Sequence, residues 1–203
     1  MSRPRCAACQ RPESHCLCAL VPRLSSATRL LILQHPDETQ HALNTARLAA
    51  LGLVNSELLV GEQFEGLEAR WEGYTPWLLF PDEQAESLEH IKAKAEHSGK
   101  TMLVIPDGTW RKARKLLYLN PCVAALPRVS LPTGLSSRYR LRKAPAAGAV
   151  STIEAIVAAL NILETPKRFD ALLAPFERLI ERQIEAMGEE VFAKNHALKR
   201  HHH

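Results

Sequence analysis

The sequence predicts an α/β domain with a largely parallel sheet and helices on both faces. Short apolar runs, such as residues 29–34 and 101–105, alternate along the chain with segments of helical periodicity. Three of these runs are followed by Pro-Asp, at residues 36–37, 81–82 and 106–107, so acidic side chains are expected at the carboxyl edge of the sheet. With 203 residues and 46% hydrophobic content, the chain can bury a core of ordinary size.

The predicted elements follow in order. Strands are expected at residues 29–34, 56–60, 77–80, 101–105 and 128–131. Helices are expected at residues 38–51, 83–97, 111–119, 155–163 and 168–195. Pro106 is expected to end the fourth strand, and Asp107 and Gly108 to form a turn. Ser151 and Glu154 match an S-x-x-E capping box, which explains both residues without a ligand.

Composition indicates four segments and a compartment. We expect a zinc-binding segment at residues 1–22, a main domain at 23–165, a helical extension at 166–200 and a tag remnant at 201–203. No apolar run approaches the ~20 residues that a membrane helix needs, and no apolar signal segment precedes the cysteines. The sequence therefore predicts a cytoplasmic protein with reduced thiols and no membrane partner.

Four cysteines lie close together near the N-terminus: Cys6, Cys9, Cys16 and Cys18. The segment that carries them is too short and polar for a core of its own, and four thiolates suit a tetrahedral zinc ion that would stabilise it. His15 is an alternative ligand, and disulfides or an iron–sulfur cluster are alternative explanations.

The charges are sorted along the chain. Acidic residues dominate residues 57–96, whereas none occurs between Asp107 and Glu154. The bases in that interval are Arg111, Lys112, Arg114, Lys115, Arg128, Arg138, Arg140, Arg142 and Lys143. This asymmetry favours a polyanionic partner, nucleic acid first, although a charge run can also be a solvated face.

Asp107 is the strongest candidate for chemistry. Asp37 and Asp82 are interpreted as helix caps. A helix cap is also the alternative for Asp107, but Gly108 follows it and allows close approach of a ligand. The segment at residues 131–150 is long for a connection within a domain, and loops of that length are usually either disordered or functional. Its donors for a carboxylate or phosphate are Ser136, Ser137, Arg138, Arg140 and Arg142.

Several common motifs are absent. The sequence contains no G-x-x-x-x-G-K-[ST] loop and no G-x-G-x-x-G after a strand. It also lacks a G-x-S-x-G elbow and the H-x-E with P-C-x-x-C of nucleobase deaminases. The usual nucleotide and hydrolase folds are therefore not indicated.

A set of short blocks resembles the DTW-domain family. The blocks are Asp107-Gly-Thr-Trp110, Ser151-Thr-Ile-Glu-Ala155, His35-Pro-x-Glu38, Asn44-Thr-x-Arg-Leu48, Arg138-Tyr-Arg-Leu-Arg142 and the four cysteines. The resemblance implies a SPOUT-like fold, which allows a trefoil knot. It also implies transfer of the 3-amino-3-carboxypropyl group of S-adenosylmethionine to N3 of a uridine in the variable loop of tRNA. Transfer to ribosomal RNA, or a non-catalytic zinc-stapled RNA-binding module, are the alternatives.

Roles for the matching residues follow from that chemistry. Asp107 would remove or orient the N3 proton, although basic neighbours are expected to lower its pKa. Trp110 would stack on the uracil or the adenine, or else be a core aromatic. The expected ligands of the donor are Thr109, Ser136, Arg138, Arg140, Arg142, Ser151 and Thr152. The residues expected to meet tRNA phosphates are Arg111, Lys112, Arg114 and Lys115.

Overall fold

A six-stranded, all-parallel sheet forms the centre of the protein. The computed structural model describes residues 4–138 and 149–188. The strands are β1 (Arg29–Gln34), β2 (Ser56–Val60), β3 (Tyr74–Leu79), β4 (Glu86–Ser87), β5 (Lys100–Asp107) and β6 (Arg128–Ser130). Their order across the sheet is β2-β1-β5-β3-β6-β4. The predicted parallel α/β architecture is thus confirmed.

Helices cover both faces of the sheet. They are α1 (Ala46–Gly52), α2 (Leu88–Ser98), α3 (Trp110–Leu119), α4 (Pro121–Ala124), α5 (Thr152–Leu163) and α6 (Ala174–Met187). Alternate strand residues face opposite cores, because side chains of a strand alternate between its two faces. Leu30 and Ile32 join a core with α1, α2, α5 and α6, whereas Leu31 and Leu33 join a second core with α3 and α4.

Three predicted helices begin later than expected, at residues 46, 88 and 174 instead of 38, 83 and 168. The helix predicted over residues 38–51 is only α1, because Asn44 Oδ1 accepts a hydrogen bond from the Arg47 backbone N–H, a local bond that competes with a continuous helix. The helix predicted over residues 83–97 begins at Leu88. Residues 86–87 instead pair with β6, and the Ser87 hydroxyl accepts from the His90 N–H as the helix cap.

Pro106 does not end β5, contrary to the prediction. The strand continues to Asp107, where Leu33 pairs with Pro106 and Gln34 with Asp107. The pairing of β5 with β3 ends at Val104, so Pro106 lies where the ladder is open on one side and its missing N–H can be tolerated. This extension brings the ends of β1 and β5 side by side.

The C-terminal helix α6 packs on the main core rather than standing apart. Phe176, Leu179 and Ile180 are buried in the same cluster as Cys9 and Leu17 of the cysteine segment. A short 3₁₀ turn (Asp170–Leu173) precedes α6, and the predicted helix beyond residue 188 lies outside the described residues. In the part of the chain that is described, no helix combines the length and the apolar character needed to cross a membrane.

Candidate active site at the ends of strands β1 and β5

An open cleft of about 530 Å³ lies at the carboxyl edge of the sheet. Three parts of the chain form its walls: the loop after β1, the end of β5 with the start of α3, and the start of α5. The volume falls within the range of small-molecule sites. The predicted residues Asp107, Thr109, Ser151 and Thr152 all line this cleft.

Asp107 is buried at the base of the cleft, with 8% of its surface exposed. Its Oδ1 accepts a hydrogen bond of 2.5 Å from the Thr152 hydroxyl, and its Oδ2 accepts one of 2.7 Å from the Gln34 amide. Burial raises the pKa of Asp107 above its ordinary value, because the charged form loses hydration, while the two hydrogen bonds oppose the shift. The carboxylate is therefore a better proton acceptor than an exposed aspartate.

Among the residues that the structure describes, the basic surroundings expected for Asp107 are reduced to Lys112, the one Lys or Arg that lines the same cleft. The charged groups that influence its pKa beyond burial are Glu38, which raises it, and His41, which lowers it. The predicted lowering of its pKa is therefore wrong. Bases that follow Asp107 in sequence project from α3, whose exposed face includes Arg111 and Arg114. Arg111 and Arg114 are thus close to Asp107 in sequence, but they do not line its cleft.

Two hydrogen-bonded amides, the buried Gln34 and the half-buried Asn44, hold Asp107 in position. Gln34 is completely buried, and its Nε2 donates both to Asp107 and, at 3.1 Å, to Asn44 Oδ1. Asn44 Nδ2 returns a bond of 3.2 Å to Gln34 Oε1 and donates to the Glu38 carbonyl at 3.0 Å. Gln34 was not predicted as a site residue, although a polar residue at the end of a mainly apolar strand in a parallel sheet is a signal that could have identified it.

Lys112 differs from the other basic residues of α3. Its Nζ lies 2.8 Å from Glu38 Oε1 and 3.4 Å from Asp37 Oδ2, and it lines the cleft. The hydrogen bond to Glu38 raises the pKa of Lys112. Arg111 and Arg114 are exposed and form no ion pair with the residues described, whereas Lys115 pairs with Glu62 at 2.8 Å.

His35, which follows β1, is connected to α3 through Glu62, because Glu62 pairs with both His35 and Lys115. It is 5% exposed; its Nε2 lies 2.8 Å from Glu62 Oε1, and its Nδ1 accepts from the Asp37 N–H. The hydrogen bond from Lys115 is the main cause of a lowered pKa of Glu62. His35 thus supplies the first cap after β1, a role that the sequence analysis gave to Asp37. Asp82 is not a helix cap either, because α2 begins at Leu88 and Ser87 caps it; Asp82 accepts from the Gln84 N–H in a turn and pairs with Arg128.

Trp110 does not line the cleft. Its indole is 40% exposed and packs edge-on against Phe80, with ring centroids 5.6 Å apart and an interplanar angle of 74°. Trp110 is therefore not a fully buried core residue. It is also not one of the residues that line the cleft with Asp107. Thr109, immediately before it, caps α3 by accepting from the Lys112 N–H.

Glu154 joins the two sides of the long segment between β6 and α5. Its carboxylate accepts from the Ser151 N–H and hydroxyl, at 2.8 and 2.7 Å, which confirms the predicted capping box. It also accepts from the Arg138 N–H at 2.6 Å and from the Ser137 hydroxyl. These contacts make Glu154 a structural centre adjoining the cleft.

The predicted donors in this segment have different positions. Ser136 is exposed and does not line the cleft. The guanidinium of Arg138 pairs with Glu177 on α6 at 2.5 Å. Arg140 and Arg142 lie outside the described residues.

The four N-terminal cysteines converge as predicted. Their sulfur atoms lie within 4.8 Å of one another, with Cys6 and Cys18 at 3.6 Å and Cys9 and Cys16 at 3.8 Å. These separations are far longer than a disulfide bond. They match the sulfur–sulfur edge of about 3.8 Å expected for four thiolates at 2.3 Å from zinc. His15 is not part of the cluster and contacts Ser14 instead.

The hydrogen bonding within the cluster also suits a metal. Backbone N–H groups of Cys9 and Ala8 lower the pKa of Cys6 to about 6. Burial and the neighbouring sulfurs raise the pKa of Cys18 to about 12, because without a cation four adjacent thiols cannot all ionise. The donor set therefore fits a tetrahedral zinc ion.

Arg11 connects the cysteine cluster to the cleft. Its guanidinium donates to the carbonyl of Ala42 at 2.6 Å and to the carbonyl of Asn44 at 3.1 Å. Both carbonyls belong to the loop at residues 39–45, which forms one wall of the cleft. On its other side the cluster contacts α6, where Arg182 donates to the Cys16 carbonyl.

Comparisons with known proteins agree with the sequence blocks. The family model described as DTW domain matches residues 3–184. A protein named tRNA-uridine aminocarboxypropyltransferase 2 from Macaca fascicularis is 31% identical over 97% of this chain and 69% of its own length. Its namesake from Drosophila melanogaster is 30% identical over 97% of this chain and 82% of its own length. tRNA-uridine aminocarboxypropyltransferase A from Arabidopsis thaliana is 26% identical over 80% of this chain.

No solved structure matches the chain. The family assignment therefore comes from the sequence matches, which extend from the cysteine cluster through the cleft to α6. The chain belongs to the DTW-domain family.

Proposed function

We propose that this protein transfers the 3-amino-3-carboxypropyl group of S-adenosylmethionine to N3 of a uridine in the variable loop of tRNA. The observation that carries the proposal is the buried, incompletely hydrogen-bonded carboxylate of Asp107 in a cleft of a chain whose relatives are named for this transfer. A carboxylate with a raised pKa is the group that the weakly acidic imide N–H of uridine requires.

The proposed step forms one bond and breaks one. The uridine N3 attacks the Cγ carbon of the methionine moiety, the Cγ–sulfur bond breaks, and its electron pair remains on sulfur. The products are 3-(3-amino-3-carboxypropyl)uridine in the RNA and methylthioadenosine. The N3 proton passes to Asp107 and then to solvent. Because all three carbons on a sulfonium are activated, the orientation of the donor selects the group that moves.

Residues around Asp107 would orient both substrates. Gln34 and Thr152 fix the two carboxylate oxygens, so the remaining acceptor capacity of Asp107 is directed into the cleft. Ser151 and the free N–H groups at the start of α5, together with Thr109, are proposed to contact the donor. Ser136, Arg138, Arg140 and Arg142 remain predicted donor contacts, and stacking of Trp110 remains a prediction.

The exposed side of α3 is the proposed tRNA surface. Arg111, Arg114 and Lys115 are exposed there, and Tyr118, one turn beyond Arg114, is 84% exposed. Cations that contact phosphates and an aromatic ring that can stack on a base are the usual components of an RNA interface. We expect tRNA affinity to fall steeply with salt concentration.

Zinc at the cysteine cluster would be structural. Cys6, Cys9, Cys16 and Cys18 leave no open ligand position, so the ion would stabilise the N-terminal segment without taking part in the chemistry. The SPOUT-like knot, the segment boundaries at residues 22 and 165, and the cytoplasmic location remain part of the proposal.

An assay with S-adenosylmethionine and unmodified tRNA tests the function. We expect release of methylthioadenosine and a mass gain on one variable-loop uridine, both lost in Asp107→Ala. Full turnover by Asp107→Ala would disprove the catalytic assignment. Modification of ribosomal RNA instead of tRNA would identify the first alternative. RNA binding without methylthioadenosine release would identify the second, a non-catalytic module.

A further inference from the structure

We propose that Glu38 and Lys112 together bind the amino acid end of the donor, with Lys112 holding its carboxylate and Glu38 its ammonium group. The inference deepens the proposed function and rests on it. It also gives Lys112 a different role from the RNA-phosphate contact predicted from sequence.

The two side chains form an ion pair within the cleft. Lys112 Nζ and Glu38 Oε1 are 2.8 Å apart, and the side chains are only 19% and 17% exposed. Glu38 belongs to the 3₁₀ turn after β1 (Pro36–Glu38), and Lys112 to the first turn of α3. The packing here is tight, since a Cβ at Gly108 would lie 3.0 Å from the Cβ of Lys112. The close packing at Gly108 fixes where the Lys112 side chain leaves α3, and the ion pair with Glu38 is only slightly exposed.

The chemistry of the transfer requires such groups close to Asp107. The carbon that is attacked is separated from the α-carbon by one methylene, so the ammonium and carboxylate lie within about 4 Å of the reacting carbon. Asp107 must contact the uridine imide that attacks that carbon. Any site for the amino acid end therefore adjoins Asp107, within the same cleft.

The cleft offers few partners for a zwitterion. Among the described residues that line it, Lys112 is the only Lys or Arg, and Glu38 is the only carboxylate besides Asp107. An ion pair can open to accept a zwitterion without a change in net charge, because each protein charge exchanges one partner for another of the same sign. Asp37, which is mostly exposed, also contacts Lys112 and can support it when Glu38 turns to the ligand.

The arrangement explains two features of the proposed reaction. Holding the amino acid end beside Asp107 presents the Cγ carbon to the uridine instead of the methyl group. After transfer, the amino and carboxyl groups belong to the RNA, and methylthioadenosine has nothing for this pair to hold. The nucleoside product is therefore released more easily than the donor.

Binding of two nucleosides separates this role from a general one. S-adenosylhomocysteine and methylthioadenosine share the adenosine and a neutral sulfur, but only the first carries the amino acid end. Calorimetric titration of the wild-type protein should show tighter binding of S-adenosylhomocysteine. Lys112→Met and Glu38→Gln should each weaken the binding of S-adenosylhomocysteine about 10- to 100-fold, as expected for charge-assisted hydrogen bonds. The affinity of each variant for methylthioadenosine should stay within about twofold of the wild-type value.

A matched control variant and a check that each variant folds complete the test. Lys94→Met removes a Lys–Glu bond of the same length, 2.8 Å to Glu86 at the β4 edge of the sheet, and should change neither affinity. Retained methylthioadenosine binding reports that each variant still folds. Equal weakening of both nucleosides, or no weakening, would overturn the assignment to the amino acid end. If the wild type binds neither nucleoside, the proposed function fails and this inference fails with it.

Discussion

Two buried carboxylates on neighbouring parts of the molecule, Asp107 and Glu154, have the same exposure of 8% but different surroundings. Glu154 accepts hydrogen bonds from four donors within the protein, two backbone N–H groups and two hydroxyls. Asp107 accepts from one hydroxyl and one amide and borders the cleft. The number of hydrogen bonds, not burial, distinguishes Glu154 from Asp107, the carboxylate that we propose to react.

Asp107→Asn should give the largest functional effect in this comparison. We expect kcat to fall by about 10²- to 10⁴-fold, the usual contribution of a general base. The fold should remain intact, because an amide at this position can still accept from Gln34 and donate to the Thr152 hydroxyl. Methylthioadenosine release under saturating substrates measures the change, and an activity loss of less than about threefold would contradict the role.

The same variant should also be more stable than the wild type at neutral pH. Burial raises the folded-state pKa of Asp107, so ionisation opposes folding: stability declines as pH rises from the unfolded-state pKa through the folded-state pKa and stays lower above it. The advantage of Asn is therefore larger at pH 8 than at pH 3, which lies below the ordinary aspartate pKa of 3.8. Denaturant unfolding at both values measures it, and an advantage that grows towards acid pH would reverse the assigned sign.

Glu154→Gln should mainly reduce stability. Each carboxylate oxygen accepts a backbone N–H, one from Arg138 and one from Ser151, so either orientation of the amide places donor against donor. We expect a loss of about 2–3 kcal/mol and a melting temperature lower by roughly 5–10 °C. Activity per folded molecule should remain within about tenfold. Thermal unfolding beside a kcat measurement tests this, and a large kcat loss without destabilisation would remove the distinction between the two carboxylates.

Gln34→Met should give a smaller effect on both properties. The substitution keeps the volume in the sheet but removes the donor to Asp107 Oδ2, at a cost of about 1–2 kcal/mol. The hydrogen bond from Gln34 lowers the pKa of Asp107, so its loss should move the acidic limb of the kcat/KM profile to higher pH. A limb that stays in place would mean that Gln34 only fills space.

Thr152→Val is the mildest change expected in stability, about 1 kcal/mol. It removes the hydroxyl that bonds Asp107 Oδ1 and keeps the shape of the side chain. Thr152 lowers the pKa of Asp107 more than Gln34 does, so the acidic limb should move further than in Gln34→Met. Comparison of the two pH profiles on the same tRNA is the measurement, and the opposite order would contradict these relative contributions.

The sequence allowed accurate prediction where one local signal dominates. The apolar run of β1 and the four-cysteine pattern appear in the structure as expected, since each depends on neighbouring residues alone. The start of the helix predicted from residue 38 was wrong because Asn44 bonds both to the Arg47 N–H and to Gln34, and Gln34 lies on another element that no local pattern contains. The interpretation of Pro106 failed because its tolerance depends on where β3 stops pairing.

In the candidate site, too, features set by local sequence could be predicted, and features set by contacts between distant elements could not. The position of Asp107 at a strand end could be predicted, whereas its neighbours could not, because a basic run on a helix distributes its charges around the helix axis. Lys112 reaches the cleft while Arg111, adjacent in sequence, is exposed. The register that places Gln34 beside Asp107 exists only once β1 and β5 pair.

Through the hydrogen bonds from Arg11 to the carbonyls of Ala42 and Asn44, the cysteine segment supports a wall of the cleft as well as its own structure. Removal of the proposed zinc ion, or oxidation of the thiols, would release Arg11 and with it the loop at residues 39–45, whose Asn44 bonds Gln34 and, through it, Asp107. If the protein binds zinc and modifies RNA as proposed, a shortage of zinc would loosen the cleft, and the extent of RNA modification would then report on metal supply.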